Sequence, residues 1–234
     1  MTSPLLAQAH IDQAMSRRHP EYVALLLTAR GISGGPSNAM SDHALSTAED
    51  HARSLLAITP LEEIPQVGQW REAYRSFGVK PRKARSSVES LLRRAQDGLP
   101  RIDVLTDLYN AVSVLHLVPI GCEDLDHYVG PPRLVVARGD ERFETVASGE
   151  PVVETPAPEE IVWRDDLGVT CRRWNWRQCT RTRLSGSTTD VVFFLYGLPA
   201  TGRQGLQDAA DDLRTRLLAL TPGAEIEERI LGAD

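Results

Sequence analysis

The sequence has no long apolar run and only three cysteines, and both features narrow the class of protein to which it can belong. Its longest apolar stretch, residues 191–196, suits a buried strand and is far shorter than the ~20 residues of a membrane-spanning helix. The N-terminal segment lacks the basic start and apolar stretch of a secretion signal. Cys122, Cys171 and Cys179 are scattered and odd in number, which fits a reducing compartment better than a disulfide framework. We therefore expect a cytoplasmic protein with no membrane partner.

The motifs of metal and covalent catalysis are also absent. The six histidines form no HxxxH or HExxH arrangement, and Cys171 and Cys179 are too far apart for a zinc knuckle. No Gly-x-Ser-x-Gly elbow occurs, and the acidic neighbours of Cys122 would raise the pKa of its thiol. Neither a Walker loop nor a Gly-x-Gly-x-x-Gly loop is present. The sequence therefore predicts no metal and no other cofactor.

Basic residues are concentrated in two segments of a chain that is acidic overall. The net charge is −6 at pH 7, which argues against unspecific coating of DNA. More than half of the lysines and arginines nevertheless lie in residues 70–101 and 164–183. These segments could present one positive face to a polyanion, or they could be separate solvated faces. The sequence leaves both interpretations open.

Hydrophobic periodicity predicts helices in the first half of the chain and strands mainly in the second. Helices are expected at residues 41–57, 67–77, 86–96, 103–116 and 205–220. Strands are expected at residues 19–32 and in LVVAR, RFETV, IVWR, VTCRRWNW and VVFFLYGL, with AEIEERIL as a candidate last strand. Residues 118–133 are expected to form turns, and residues 151–160 an acidic, Pro-rich connector. This order indicates an α+β fold.

The segment CRRWNWRQC raises the question of function. If residues 169–176 form one strand, its side chains alternate between two faces. One face then carries Thr170, Arg172, Trp174 and Trp176, and the other carries Val169, Cys171, Arg173 and Asn175. The tryptophans could fill a core while the arginines extend to solvent or pair with acids. Alternatively, the buried arginine and asparagine could bind an anionic or amide-rich ligand.

Several motifs together resemble the B3/B4 domain. That domain is the editing module of the bacterial phenylalanyl-tRNA synthetase β subunit, and it also occurs in free-standing proteins. The resemblance covers residues 70–198 and rests on RSSxE at residues 85–89, Leu99-Pro100, DLxN at 107–110, PxGxxD at 119–124 and RWNWR at 173–177. Their order and spacing are most similar to those of the free-standing members. We expect one domain over residues 1–234, with residues 1–69 weakly matched and residues 199–234 adding a helix and the candidate strand.

The resemblance implies a β-sandwich-like core flanked by helices, with a cleft between its two halves. It implies a trans-editing deacylase that hydrolyses the ester of a mischarged tRNA by metal-free, substrate-assisted attack of water. On this interpretation the candidate catalytic residues are Asn110, Ser113, Asp124, Asn175 and Arg177. The substrate-binding candidates are Arg173, Trp174, Trp176 and Gly121. The candidates for contacts with the tRNA acceptor stem are Lys80, Arg82, Lys83 and Arg85.

Two other functions remain open at the level of sequence. The chain could be a non-catalytic module that binds tRNA or other RNA, or it could bind a small amino-acid derivative, because a fold alone does not fix a function. One geometric feature separates these hypotheses. The deacylase hypothesis requires a cleft lined by Asn110, Asn175 and Arg177 to open onto the face that carries residues 80–85.

Overall fold

The computed structural model describes residues 4–80 and 83–232, so the predicted tRNA contact Arg82 lies outside the described residues. The helices are α1 (Pro4–Gln8), α2 (Gln13–Arg18), α3 (Ala39–Ile58), α4 (Pro65–Ser76), α5 (Ser87–Ala95), α6 (Val104–His116) and α7 (Gly202–Leu220). The strands are β1 (His10–Ile11), β2 (Val23–Arg30), β3 (Ile120–Asp124), β4 (Arg133–Val136), β5 (Phe143–Ala147), β6 (Glu150–Glu154), β7 (Ile161–Arg164), β8 (Val169–Arg172), β9 (Arg177–Gln178), β10 (Val191–Gly197) and β11 (Glu225–Leu231). The prediction of an α+β fold is confirmed.

A four-stranded antiparallel sheet with the order β11-β2-β10-β3 forms the middle layer. Its two inner strands, β2 and β10, are apolar on both faces. Leu25 and Phe193 pack against the helices, whereas Leu26 and Phe194 pack on the opposite side. A strand buried on both faces requires a continuous apolar run, and this explains VALLL and VVFFLY in the sequence. The sheet thus joins a strand from the first 69 residues to the later strands.

A second sheet, with the order β1-β4-β7-β8-β9, packs together with α4 on the face of the middle layer opposite α3 and α6. The space between the two sheets is filled by large aromatic side chains. Trp163 packs on Phe194 with ring centroids 4.8 Å apart, and Trp70 packs on Tyr196 at 6.4 Å. The architecture is therefore a layer of helices on a sheet, which in turn packs on a second sheet.

The prediction of one strand over residues 169–176 is wrong. β8 ends at Arg172, and the chain then turns back so that Arg172 pairs with Arg177 in β9. Arg173 and Trp174 have φ angles of 47° and 69° in the left-handed region, and the Trp176 N–H donates to the Arg172 carbonyl at 3.1 Å. Left-handed residues interrupt the alternation of a strand. The predicted face shared by Trp174 and Trp176 therefore does not exist.

Two other expected loops contain strands. The predicted connector at residues 151–160 begins with β6, which forms a hairpin with β5. Pro151 fits there because an edge strand tolerates a residue without an N–H group. The predicted turns at residues 118–133 contain β3, the edge strand of the middle sheet. Sequence reasoning also missed α1, β1 and α2, which are too short to give a clear periodic pattern.

Two capped helix starts position residues around the later site. Ser86 caps α5 by accepting a hydrogen bond from the Glu89 N–H at 3.4 Å, and Asp103 caps α6 by accepting from the Thr106 N–H at 2.8 Å. The Glu89 carboxylate binds the Arg71 side chain through two hydrogen bonds of 3.1 and 2.8 Å. These contacts fix the first turn of α5 against α4.

Candidate functional site

A cleft of about 160 Å³ lies beside the edge strand β3. It is enclosed by the start of α5, by α6, by β10 and by the turn between β8 and β9. Its lining residues are Ser87, Tyr109, Ile120, Gly121, Glu123, Cys171, Asn175, Trp176, Arg177, Gln178 and Tyr196. The structure thus brings together four residues that the sequence singled out, namely Gly121, Asn175, Trp176 and Arg177. We call this space the Asn175 cleft.

Asn175 lines this cleft and has one unpartnered side-chain donor. Its side-chain oxygen accepts from the Tyr74 hydroxyl at 2.9 Å and from the Ser87 N–H at 3.4 Å. Because a backbone N–H can only donate, these contacts fix which end of the amide is the oxygen. The Nδ2 atom on the other end is buried and has no hydrogen-bond partner among the described residues. A buried donor without a partner costs about 1–3 kcal/mol, so this side chain is suited to receiving an acceptor from a ligand.

Ser87, another residue of the cleft lining, has a second unpartnered polar group. Its hydroxyl oxygen is buried and, like Asn175 Nδ2, has no hydrogen-bond partner in the described part of the chain. Ser87 is the first residue of α5, where backbone N–H groups point outward and the helix dipole is positive. The cleft therefore combines two unpartnered polar side-chain groups with the positive end of a helix. Such an arrangement can stabilise negative charge on an oxygen atom.

Glu123 is a functional candidate that sequence reasoning missed. Burial raises the pKa of its carboxyl group to about 7, although hydroxyl groups of Tyr128 and Thr182 donate to it. In β3, Ile120 and Cys122 pack toward the helices, so Gly121 and Glu123 face the cleft. The signal was present in PIGCED, because an acidic residue alternates there with apolar ones. The cleft thus holds a carboxyl group that titrates near neutral pH.

We expect Glu123→Gln to make the stability of the fold less dependent on pH. The raised pKa means that the folded state favours the neutral acid, so the contribution of Glu123 to stability is fully present below pH 4.5 and is lost as the pH rises through about 7. At pH 8 the variant should have the higher free energy of unfolding, by up to about 3 kcal/mol. Near pH 4.5 the two proteins should be equally stable. Urea unfolding at both pH values measures this, and equal stability at pH 8 would contradict the expectation.

A side chain at position 121 would crowd Tyr196 on the neighbouring strand β10. A Cβ atom on this residue would lie 3.3 Å from the Tyr196 hydroxyl oxygen, which is closer than ordinary packing. Cys171 also lines the cleft, and burial raises the pKa of its thiol well above its usual range. A neutral thiol is a weak nucleophile. The cysteine therefore contributes shape to the cleft.

Three of the predicted catalytic residues lie outside the lining of the Asn175 cleft. Ser113 donates its hydroxyl to the Val118 carbonyl at 2.6 Å, so it fixes the end of α6. Asp124 accepts from the Asp126 N–H at 2.9 Å and from the Thr188 hydroxyl at 2.5 Å, so it holds two loops. Asn110 is buried on α6, next to the cleft residue Tyr109, so the lining includes Asn175 and Arg177 but not Asn110 as the deacylase hypothesis required.

The tryptophans and Arg177 also differ in their surroundings. Trp174 is buried in the aromatic core, with its ring 5.1 Å from that of Trp70 and 4.8 Å from that of Tyr22. Trp176 is partly exposed and forms a wall of the cleft. The Arg177 guanidinium donates to the Thr145 hydroxyl at 2.6 Å, so its charge points toward the β5–β6 hairpin. Only Trp176 among these offers an aromatic surface to a ligand in the cleft.

A second pocket, of about 220 Å³, lies next to the Asn175 cleft. Its lining includes Lys80, Lys83 and Arg173. The Arg173 guanidinium stacks over the Trp176 ring, 4.2 Å from its centroid, so the two side chains form a wall between the two spaces. Lys80 and Lys83 are therefore close to the cleft. Arg85, the remaining predicted tRNA contact among the described residues, lies 3.6 Å from the Glu89 carboxylate.

Many arginines of the two basic segments form ion pairs within the fold. Glu89 binds Arg71 and Arg93, and Asp165 binds Arg181 through two bonds of 2.9 Å. Arg172 is buried and binds Glu160. The second basic segment is therefore largely neutralised within the fold, whereas Lys80 and Lys83 remain exposed.

Residues 4–80 and 83–232 contain no group of three or more His, Cys, Asp or Glu side chains placed to hold a metal ion. The same residues include no helix with the length and apolar character needed to cross a membrane. Each of the three cysteines is a buried free thiol.

The fold is a mixed sheet-and-helix domain with a partly polar cleft beside an edge strand. The B3/4 domain family matches residues 69–212, which is more than half of the chain, and the chain therefore belongs to that family. Among the solved structures that match is an N-terminal fragment of the phenylalanyl-tRNA synthetase beta-subunit from Pyrococcus horikoshii, with 13% identity and a TM-score of 0.43. The match covers 95% of this chain and 50% of that one, so the chain spans about half the length of that fragment. No curated protein matches the chain at a significant level.

Proposed function

We propose that this protein is an aminoacyl-tRNA deacylase that hydrolyses the ester of a mischarged tRNA in trans. The observation that carries the proposal is the pair of unpartnered polar groups, Asn175 Nδ2 and Ser87 Oγ, at the positive end of α5. The ester carbonyl oxygen of the substrate accepts hydrogen bonds from these groups. Both bonds strengthen as negative charge develops on that oxygen during the attack of water.

The proposed reaction requires no metal and no covalent intermediate. Water adds to the ester carbonyl carbon, the bond to the ribose oxygen then breaks, and that oxygen takes up a proton as the terminal hydroxyl is restored. The neighbouring ribose hydroxyl of the tRNA positions the water. An aminoacyl ester is already activated, so orientation and charge stabilisation supply much of the catalysis. The products are the free amino acid and the uncharged tRNA.

Trp176 in the cleft wall and the lysines beside the cleft support a substrate that is an RNA end. Trp176 offers a partly exposed ring on which the terminal adenine stacks. Lys80 and Lys83 lie in the adjacent pocket and bind phosphates, which contributes affinity and salt dependence. This local charge allows an acidic chain to bind tRNA, while its net charge of −6 argues against unspecific coating of DNA. We place the reaction in the cytoplasm, with residues 1–234 acting as one domain.

Incubation of the purified protein with a panel of misacylated tRNAs tests the proposal. We expect ester hydrolysis well above the buffer rate for at least one pairing of amino acid and tRNA, measured by the loss of acid-precipitable labelled amino acid. The same assay with correctly charged tRNAs is the control for specificity. Hydrolysis at the buffer rate for every pairing would exclude the deacylase.

A non-catalytic RNA-binding module is the second candidate. It is favoured by one observation, which is that Ser113 and Asp124 are engaged in structural contacts and lie outside the lining of the cleft. This candidate predicts salt-dependent binding of tRNA with no hydrolysis in any charging state. A receptor for a small amino-acid derivative would instead bind no RNA, and its ligand affinity would not change in Lys83→Glu.

A further inference from the structure

The pocket beside the Asn175 cleft contains both lysines of the chain. Lys80 and Lys83 are the only lysines in the sequence, and both line this pocket. We call it the lysine pocket. Arg173 and Glu160 complete its polar wall, and the apolar residues of its lining are Phe77, Val79, Ala157 and Pro158. A positive pocket with an apolar surface is suited to a phosphate that carries an organic group.

Glu160 does not neutralise the lysines. Its carboxylate is buried, and its two oxygens accept from Arg172 Nε and Nη2, each at 2.9 Å. This bidentate pair balances the charge of Glu160 with that of Arg172. The next acid along the chain, Glu159, forms an ion pair with Arg18. The charges of Lys80, Lys83 and Arg173 therefore leave the pocket positive.

Arg173 is held with one donor unsatisfied. Its Nε atom is buried and makes no hydrogen bond within the described residues, and it lies 3.7 Å from a Glu160 oxygen. Its φ of 47° costs about 1–2 kcal/mol for a residue with a side chain. The backbone stays in this conformation because the Arg173 N–H donates to Glu160 at 3.2 Å and Trp174 is buried in the core. Strain of this kind is typical of positions where a side chain is placed for a ligand.

The position of Arg173 connects the lysine pocket to the Asn175 cleft. Its guanidinium stacks on Trp176, which forms a wall of the cleft. A polymer that placed its end in the cleft and stacked its terminal base on Trp176 would bring its preceding backbone group to Arg173. Guanidinium and ammonium groups together are the usual ligands of a phosphate.

We propose that the lysine pocket is a phosphate subsite for the RNA strand whose esterified 3′ end occupies the Asn175 cleft. This inference rests on the proposed function for the identity of the strand. The apolar surface formed by Phe77 and Pro158 receives the sugar and base of that nucleotide. The subsite holds the strand in register, so that the ester reaches Asn175.

Lysine-selective acylation followed by mass spectrometry tests the subsite directly, because the chain has only two lysines. We expect saturating uncharged tRNA to slow the modification of both Lys80 and Lys83 by about tenfold, since a bound phosphate occupies each amine. Inorganic phosphate, at a concentration equal to that of the phosphate groups in the tRNA sample, should protect the two lysines only weakly. Equal modification rates with and without tRNA would overturn the proposal. Equal protection by inorganic phosphate would assign the pocket to free phosphate and would also overturn it.

Charge reversal provides the second measurement. Lys83→Glu should weaken tRNA binding about tenfold at low salt and should reduce the steepness of the salt dependence by about one unit or more. Arg17→Glu is the matched control, because Arg17 is exposed on α2 and does not line the pocket. Equal affinities for the two variants would contradict the subsite.

The two proposals can fail separately. If wild-type protein shows no hydrolysis while tRNA still protects both lysines, the deacylase is excluded and the phosphate subsite stands. If hydrolysis occurs but neither lysine is protected, the deacylase stands and the subsite is wrong. Both measurements use the whole chain.

Discussion

Asn175→Asp is expected to reduce the rate of ester hydrolysis by about 100- to 1,000-fold, which is typical for the loss of one oxyanion donor. The substitution replaces the unpartnered Nδ2 donor with an acceptor. The remaining oxygen can still accept from the Tyr74 hydroxyl and the Ser87 N–H, so the turn and the start of α5 should persist. Single-turnover hydrolysis of the best misacylated tRNA measures the effect, and thermal unfolding verifies that the variant is folded.

Asn38→Asp is the control for this substitution. Asn38 caps α3 by accepting from the Met40 and Ser41 N–H groups at 3.0 and 3.1 Å, and aspartate caps a helix as well as asparagine does. The control variant carries the same chemical change outside the lining of the cleft and should hydrolyse at the wild-type rate. If Asn175→Asp is as active as Asn38→Asp, Asn175 does not stabilise the oxyanion.

Trp174→Ala is expected to lower the free energy of unfolding by about 3–5 kcal/mol, the usual cost of removing a buried tryptophan. The indole packs edge to face against Trp70, Tyr22 and His19, so its removal leaves a cavity that these rings cannot fill without moving. Equilibrium urea unfolding measures the loss. The same turn also carries Arg173 and Asn175, so activity should fall together with stability.

Trp176→Ala separates the core tryptophan from the tryptophan of the cleft. Trp176 is partly exposed, so its removal should cost less stability than the removal of Trp174, while the affinity for the RNA end should fall because the stacking surface is lost. Similar losses in the free energy of unfolding for the two variants would show that Trp176 is a core residue like Trp174.

Side-chain periodicity predicted the elements that are long and apolar. The runs in β2 and β10 identified the two inner strands of the middle sheet, and the apolar faces of α3 and α6 identified helices that pack on it. Short elements such as β1 and β9 were beyond prediction, because two residues carry no period. β6 was missed because Pro151 and the acidic residues of this strand are typical of a loop, although an edge strand tolerates them.

Within the candidate site, sequence motifs identified the correct segment but did not show which of its polar groups lie at the cleft. Gly121, Asn175, Trp176 and Arg177 do line one cleft, yet Arg177 directs its charge elsewhere. Ser87 was missed as a site residue because a serine at the start of a helix is ordinary in sequence. Its importance depends on a missing hydrogen-bond partner, and only three-dimensional neighbours decide that.

The sequence by itself determined the α+β class, the two central strands and membership of the B3/4 family, because long apolar periods and spaced motifs are local properties of a chain. Only the tertiary structure decided what CRRWNWRQC does. Two left-handed residues turn Trp174 into the core and leave Asn175 and Trp176 at the cleft. It also decided which arginines form ion pairs, since Glu89, Glu160 and Asp165 bind arginines that lie 18, 12 and 16 positions away in the chain. Pairing of this kind depends on distances in space, which spacing in a sequence does not encode.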